Sequence, residues 1–288
     1  MIVGASSGIG RAAAYEFAKT GARLVLAARS AETLDEVAAE CVALGAEAIA
    51  VATDLTSQKQ VDALVATTLE TFGRIDVWVG TAAAFAYGTF EQLPEKQFRD
   101  LIEVNLFGQA RGVRAVLPQL RAQGGGSIIL MGSVYSRTVT AYMGAYIVSK
   151  HALLALSESI RQEVEHDGID VSAILPVTVD TPIYQHAANH LGHRVRPLPP
   201  YITAERVARV IVKRADRPRP WTYVGWLQRG SIPVSRIAPR IAGRLSLRLL
   251  DRVTVRPARA EPTDGTLYKP DPGSNAVSGG WKDGRTET

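Results

Sequence analysis

The sequence predicts an α/β fold, a doubly wound parallel sheet followed by a basic helical C-terminal extension. Three observations predict it. Short apolar runs alternate with stretches of helical periodicity as far as residue 224. The run at 23–28 is apolar almost throughout, as a strand buried on both faces is. The glycine-rich turn Gly4-Ala5-Ser6-Ser7-Gly8-Ile9-Gly10 joins the first run directly to the first helix. Parallel strands need crossover connections, and these put helices on both faces of the sheet.

In chain order, residues 1–3 end a strand and 10–20 form a helix stopped by Gly21. Residues 23–28 are the second strand, 31–44 a helix closed by Gly45, and 46–52 the third strand. Residues 57–72 form a helix with Ser57 as N-cap and Gly73 past its end. The fourth strand is 76–79. A long helix over 94–123 follows, which Pro118 kinks or tightens. Residues 127–131 are the fifth strand, 142–167 a helix stopped by Gly168, and 169–175 the sixth strand. A helix over 203–215 and a seventh strand over 221–224 complete a first domain, 1–228. No internal repeat is visible.

Composition narrows the class. The chain has 288 residues, 46% hydrophobic and 21% charged, which is ordinary for a globular protein. The lone cysteine, Cys41, excludes a disulfide framework and a cysteine-based zinc site. No apolar run reaches the ~20 residues of a membrane span. The N-terminus lacks a signal peptide's order of regions, so the expected location is the cytoplasm.

The net charge of +5 is unevenly spread. Residues 1–204 carry net −4, 205–260 net +11 and 261–288 net −2. A mildly acidic body with one basic segment is not the pattern of a nucleic-acid binder, and no aromatic interleaving accompanies the arginines.

The glycine turn suits a phosphate. Glycines permit positive φ and close approach, and the helix N-terminus offers unpaired N–H groups. The spacing G-x-x-x-G-x-G is weak evidence alone, because glycines also make plain strand–helix turns. The second strand ends Ala28-Arg29 where an NAD-preferring chain carries Asp or Glu for the ribose 2′-hydroxyl. A missing carboxylate beside a guanidinium favours NADP over NAD. Asp54, ending the third strand, reads as an acceptor for an adenine amino group, as a cap near Ser57, or as both.

Tyr146 and Lys150 stand at i and i+4, on one helix face. A phenol is a poor acid or base near neutrality, and a neighbouring ammonium lowers its pKa. The pair gains meaning from Ser133, thirteen residues earlier, at the carboxyl edge of the sheet where α/β folds bind ligands. Asn105 lies inside the long helix, either as a plain interior Asn or as the holder of a proton-relaying water.

With these residues in order, the chain resembles the short-chain dehydrogenase/reductase family, in its compact one-domain branch, from residue 1 to about 224. The carriers are Gly4/Gly8/Gly10, Asp54, Asn105, Ser133, Tyr146, Lys150 and the Pro176…Thr181-Pro182 segment. The resemblance implies a Rossmann fold with strand order 3-2-1-4-5-6-7. It implies that Tyr146 is the general acid for carbonyl reduction and the base for alcohol oxidation. Ser133 then polarises the substrate oxygen, Lys150 bonds the nicotinamide ribose and tunes Tyr146, and Asn105 supports the water relay. Thr181 and Pro176 sit at the nicotinamide, with Ser6, Ser7 and Ile9 completing the phosphate turn. The resemblance also suggests a homodimer or homotetramer through the helices at 94–123 and 142–167.

Three departures stand out. Only three residues precede the glycine turn, which costs ladder bonds in a central strand and brings a charged amine near the core. A natural start upstream or a trimmed chain is therefore expected. The family's Asn-Asn-Ala-Gly reads Gly80-Thr81-Ala82-Ala83, leaving Thr81 to tie the strand end. Its Pro-Gly reads Pro176-Val177, and valine disfavours positive φ.

Residues 183–200 should form the substrate lid. His186, His190 and His193 fall at i, i+4 and i+7, which could be one helix face; a polar lid is preferred to a metal site. Phe85, Tyr87, Tyr135, Tyr142 and Met143 either line an apolar pocket for a hydrophobic carbonyl or simply fill core.

Residues 229–255 form the extension. Arg236, Arg240, Arg244, Arg248 and Arg252 run beside Ile237, Ile241, Leu245, Leu249 and Val253, two adjacent helical stripes. Pro233 and Pro239 limit the helix to roughly 240–255. Packing on the body or a second subunit ranks first, and an anionic membrane surface against residues 236–255 second. The tail, 256–288, is disordered or clipped down by Trp281.

The expected function is an NADP-dependent oxidoreductase acting on a carbonyl or secondary alcohol. The alternative is a dinucleotide-binding sensor or scaffold without turnover. The complete Asn105/Ser133/Tyr146/Lys150 set favours the enzyme.

Overall fold

The computed structural model describes residues 1–226 and 228–284. One parallel sheet of seven strands organises it: β1 Ile2–Val3, β2 Arg23–Ala28, β3 Glu47–Ala52, β4 Val77–Gly80, β5 Gly126–Met131, β6 Ile169–Pro176 and β7 Trp221–Val224. The order across the sheet is β3-β2-β1-β4-β5-β6-β7, as expected. The helices α1 Gly8–Ala18, α2 Ala31–Ala43 and α7 Ala204–Asp216 cover one face. The other is covered by α3 Gln58–Phe72, α5 Gln109–Ala122 and α6 Gly144–Glu163, with α4 Glu95–Ile102 packed against α6.

Side chains of a strand alternate between faces. Ile2 packs with Leu34, Val37 and Ile211 in one layer, and its neighbour Val3 with Leu64, Val113 and Leu153 in the other. β1 is only two residues long, and the amine of Met1 is indeed carried to the core. It donates to the Val77 carbonyl at 2.8 Å, and burial pulls it down to about 5. An amine that is neutral at pH 7 avoids the cost of a buried charge.

Several boundaries differ from the sequence reading for local reasons. Ser57 occupies the N-cap position of α3 without a side-chain capping bond, whereas Thr203 caps α7 by accepting from the Arg206 amide. The long helix is continuous, but its irregularity is a π-helical turn at Glu103–Gly108 between α4 and α5. Pro118 sits within α5 without ending it, because the Arg114 and Pro118 positions face solvent, where water can take the freed carbonyl. Gly112 lets α5 approach the sheet; a Cβ there would overlap the buried Trp78 indole.

The lid is not a helix. Ala188–Asn189 pair with Ala86–Tyr87, and His193–Val195 pair with Val255–Arg259. These pairings, with Gly192 at φ +70°, break any helical register. The three histidines therefore point to separate partners: His186 to Ser274, His190 to Gln97 and His193 to the Arg256 carbonyl.

The extension forms two helices, α8 Ser231–Ile237 and α9 Pro239–Val253. The apolar stripe itself does not pack on the chain's own body, which leaves it free for a second subunit or another surface. Ile237 is 85% exposed, Ile241 59% and Leu245 57%, while the docked residue is Leu250, one step past the stripe, at 2%. The antiparallel strand at Val255–Arg259 and a bond from Tyr142 to Asp251 hold α9 by that other edge. No described helix is long and apolar enough to cross a membrane. The tail is held against the body, with Trp281 donating to the Thr181 carbonyl; its last four residues lie outside those described.

Candidate active site

The site begins at the turn from β1 to α1. Gly4 adopts φ +87° and donates to the Ala27 carbonyl, and a Cβ at Gly10 would overlap the Gly4 carbonyl. Only glycines let α1 start this close to the strand end. The first turn of a helix has N–H groups without intrahelical partners and carries the positive end of the dipole. Here it opens onto a cleft of about 430 Å³ lined by Gly4, Ser6, Ser7, Gly8, Ile9, Gly10, Arg29, Asp54 and Thr181.

Asp54 accepts from the amide and hydroxyl of Thr56, so it shapes the turn after β3 while facing the cleft. Arg29 donates to the Thr266 and Leu267 carbonyls at 2.7 and 2.8 Å. Burial pulls its pKa down and nearby Asp54 pulls it up.

A smaller cavity of about 70 Å³ adjoins the cleft, sharing Ile9, Thr81, Thr181 and Ile183 with it. Ser133, Tyr146, Lys150 and Pro176 line it, together with Phe85, Tyr135 and Tyr184. Ser133 sits just past β5 and accepts from the Tyr135 amide. Tyr146 and Lys150 come from the first two turns of α6, with Lys150 Nζ 5.5 Å from the Tyr146 ring centre. Lys150 donates to the Met131 carbonyl at 2.8 Å. Burial lowers its pKa to about 7. Burial drives the Tyr146 phenol up, and a hydrogen bond with Ser133 opposes this. The Tyr146 phenol and the buried Lys150 amine thus line the same small cavity.

Asn105 is placed differently. It is fully buried in the π-helical turn, its amide exchanging bonds with both backbone groups of Ala84 and donating to Ser149 Oγ. Its side chain thus clamps the segment after β4 to α6. Thr81 donates to the Val3 carbonyl at 2.7 Å, the remaining side-chain tie at the end of β4, and Gln109 adds a bond to the Ala82 carbonyl. Val177 avoids positive φ, and Gly225 leaves room for it, since a Cβ there would overlap its side chain.

Of the candidate pocket residues, Phe85 and Tyr135 line the small cavity. Tyr87 and Met143 are buried behind it, and Tyr142 turns to Asp251. Tyr184 was not singled out from sequence. It lies in a short 3-10 turn without periodicity, and its ring centre comes within 5.6 Å of Phe85, itself 4.4 Å from Tyr146. The cleft walls Thr266, Leu267, Tyr268, Asp271 and Asn275 were also missed, coming from the segment read as tail.

Comparison with known proteins agrees with this architecture. The family model for short chain dehydrogenases matches residues 1–191. An uncharacterized oxidoreductase of Bacillus subtilis, YxnA, is 32% identical over 258 residues, 87% of this chain and 71% of that protein. The 2-(R)-hydroxypropyl-CoM dehydrogenase of Xanthobacter autotrophicus is 36% identical over 189 residues, 64% of this chain and 76% of that protein. Among solved structures, a short-chain dehydrogenase/reductase from Burkholderia phymatum in complex with NAD aligns with a TM-score of 0.75 at 25% identity. That alignment covers 84% of this chain and 94% of the other. L-Sorbose reductase from Gluconobacter frateurii, complexed with NADPH and L-sorbose, aligns at 0.70 and 27% identity, covering 79% and 95%. Fold, glycine turn and family model agree: the chain belongs to the short-chain dehydrogenase family.

Proposed function

We propose that the protein is an NADP-dependent oxidoreductase that interconverts a carbonyl compound and a secondary alcohol, with Tyr146 as general acid and base. The observation that carries this is the convergence of Ser133, Tyr146 and Lys150 on one cavity that shares lining residues with the cleft at the glycine turn. The nicotinamide supplies or accepts the hydride when bound. The chain's residues handle the oxygen and its proton. Ser133 orients the substrate oxygen, Tyr146 delivers a proton to it in reduction or removes one in oxidation, and Lys150 restores the proton balance of the phenol. Thr181 stands where the two cavities meet, Pro176 lines the small one, and Asn105 supports the relay by holding the wall at Ala84.

Arg29 at the end of β2, with no carboxylate at Ala28, supports NADP over NAD. Phe85, Tyr135, Tyr184 and Ile183 support a hydrophobic substrate that fits a small cavity. Exposed Phe107 and Val148, on the π turn and α6, support a homodimer or homotetramer through these helices. The exposed Ile237, Ile241 and Leu245 beside the arginine stripe support a peripheral contact of residues 236–255 with an anionic membrane from the cytoplasmic side.

The test is oxidation of NADPH and NADH against a panel of carbonyl compounds, with Tyr146→Phe as control. Turnover with NADPH that disappears in the variant supports the reading. NADPH binding without turnover on any compound favours a sensor, and no nucleotide binding overturns the cofactor assignment.

A further inference from the structure

The segment 263–282, compositionally a polar tail, runs the length of the dinucleotide cleft. It enters beside Asn189, where the Thr263 and Asn189 backbones pair. At the β2 end of the cleft, the Thr266 and Leu267 carbonyls take two donors of Arg29, and Leu267 is buried. Over α1, the Asn275 carbonyl accepts from Arg11 and its side chain donates to Thr33. The Ala276 carbonyl accepts from the Gly8 amide at 2.8 Å. Val277 joins the apolar layer under α1. At the far end, Ser278 and the Trp281 amide bind the Asp180 carboxylate, and the Trp281 indole donates to the Thr181 carbonyl and packs edge-on to Tyr184.

The cleft of about 430 Å³ lies between this segment and the glycine turn. The segment is therefore a wall of the dinucleotide site. Two of the groups it engages, the Gly8 amide and the Arg29 guanidinium, are ones that phosphate oxygens would also recruit. Its carbonyls are neutral acceptors, weaker partners for these donors than a phosphate.

We infer that residues 263–282 form a strap that is part of the dinucleotide site and gates cofactor exchange. This rests on the proposed dinucleotide reading. The strap releases Gly8 and Arg29 to admit the nucleotide, while its ends on Asn189 and Asp180 keep it local. A protein whose competent state is only partly populated binds at a rate set by that population or by the opening step.

The test is stopped-flow binding of NADPH to the full chain, following nucleotide fluorescence, for the unaltered protein, Gly279→Val and Trp281→Ala. A Cβ at Gly279 would meet the Thr181 carbonyl and the Trp281 ring, so the first variant undocks the strap's far end. The second removes the indole bonds, guarding against a fold defect in the first. The observed rate is expected to level off with NADPH concentration in the unaltered protein. In both variants it should keep rising, reaching rates at least ~10-fold faster. Equal, unsaturated rates in all three proteins overturn the gate alone, as does a limit that persists in both variants. Failure of every protein to bind NADPH or NADH overturns the dinucleotide reading and the gate with it.

Discussion

Lys150 Nζ donates to the Met131 carbonyl at 2.8 Å, tying the second turn of α6 to the last residue of β5. The lysine is only 2% exposed, and burial sets its pKa at about 7 instead of 10.5. The unfolded chain thus binds a proton that the folded chain lacks throughout that interval. Stability therefore rises with pH from 7 to 10.5 by up to about 1.4 kcal/mol per pH unit from this group. Below pH 7 both states are protonated and the full cost of the buried charge persists. Urea unfolding between pH 7 and 9 should show the unaltered protein gaining on Lys150→Met; parallel curves would mean an unshifted lysine.

Tyr146→Phe removes the only hydroxyl on that ring while keeping its contact with Phe85. Turnover should fall by ~10²–10⁴, the usual size of a general acid's contribution. NADPH titration should register a far smaller change. Retained turnover would move the proton-transfer role to another group.

Phe85 and Tyr184 bound the small cavity above Tyr146. Phe85→Leu should shift kcat/KM toward bulkier carbonyl compounds by about tenfold or more, the scale set by small volume changes in an apolar pocket. Relative kcat/KM for a homologous ketone series measures it, and an unchanged ratio would place the substrate elsewhere.

Gly112 and Gly243 should respond oppositely to alanine. At Gly112 the new methyl meets the Trp78 ring, and overpacking should cost about 1–3 kcal/mol. At Gly243, exposed in α9 with open space around it, helix propensity should gain up to about 1 kcal/mol. Thermal unfolding of the two variants checks both signs.

On α9, Leu245→Asp should abolish sedimentation with anionic phospholipid vesicles while leaving the melting temperature unchanged. Leu250→Ala should cost about 2–5 kcal/mol, because its side chain is buried. Sedimentation of Leu245→Asp equal to that of the unaltered protein would remove the membrane contact.

The strands were legible from apolar runs, most clearly at 23–28, where double-sided burial leaves a continuous one; their order came from the family resemblance. Ser133, Tyr146 and Lys150 could be read as one edge of the sheet for the same reason: strand ends and helix starts fix their height. What resisted was set by contacts distant in sequence. The lid histidines keep helical spacing, yet strand pairing with Ala86–Tyr87 and Val255–Arg259 overrides it. The arginine stripe of α9 is periodic, but which edge docks is decided by Leu250 and Asp251 meeting the body. The tail's polar composition hid a wall built largely from backbone carbonyls, which no side-chain pattern reports.

The strap's bonds join Arg11 to Asn275 and Arg29 to Leu267, separations of 264 and 238 residues. Contacts this non-local form late, since closing such long loops costs entropy before it is repaid. During synthesis the sheet and the glycine turn leave the ribosome ahead of residues 263–282. A nascent chain therefore presents the cleft without this wall, which closes only once residues 263–282 are free to dock.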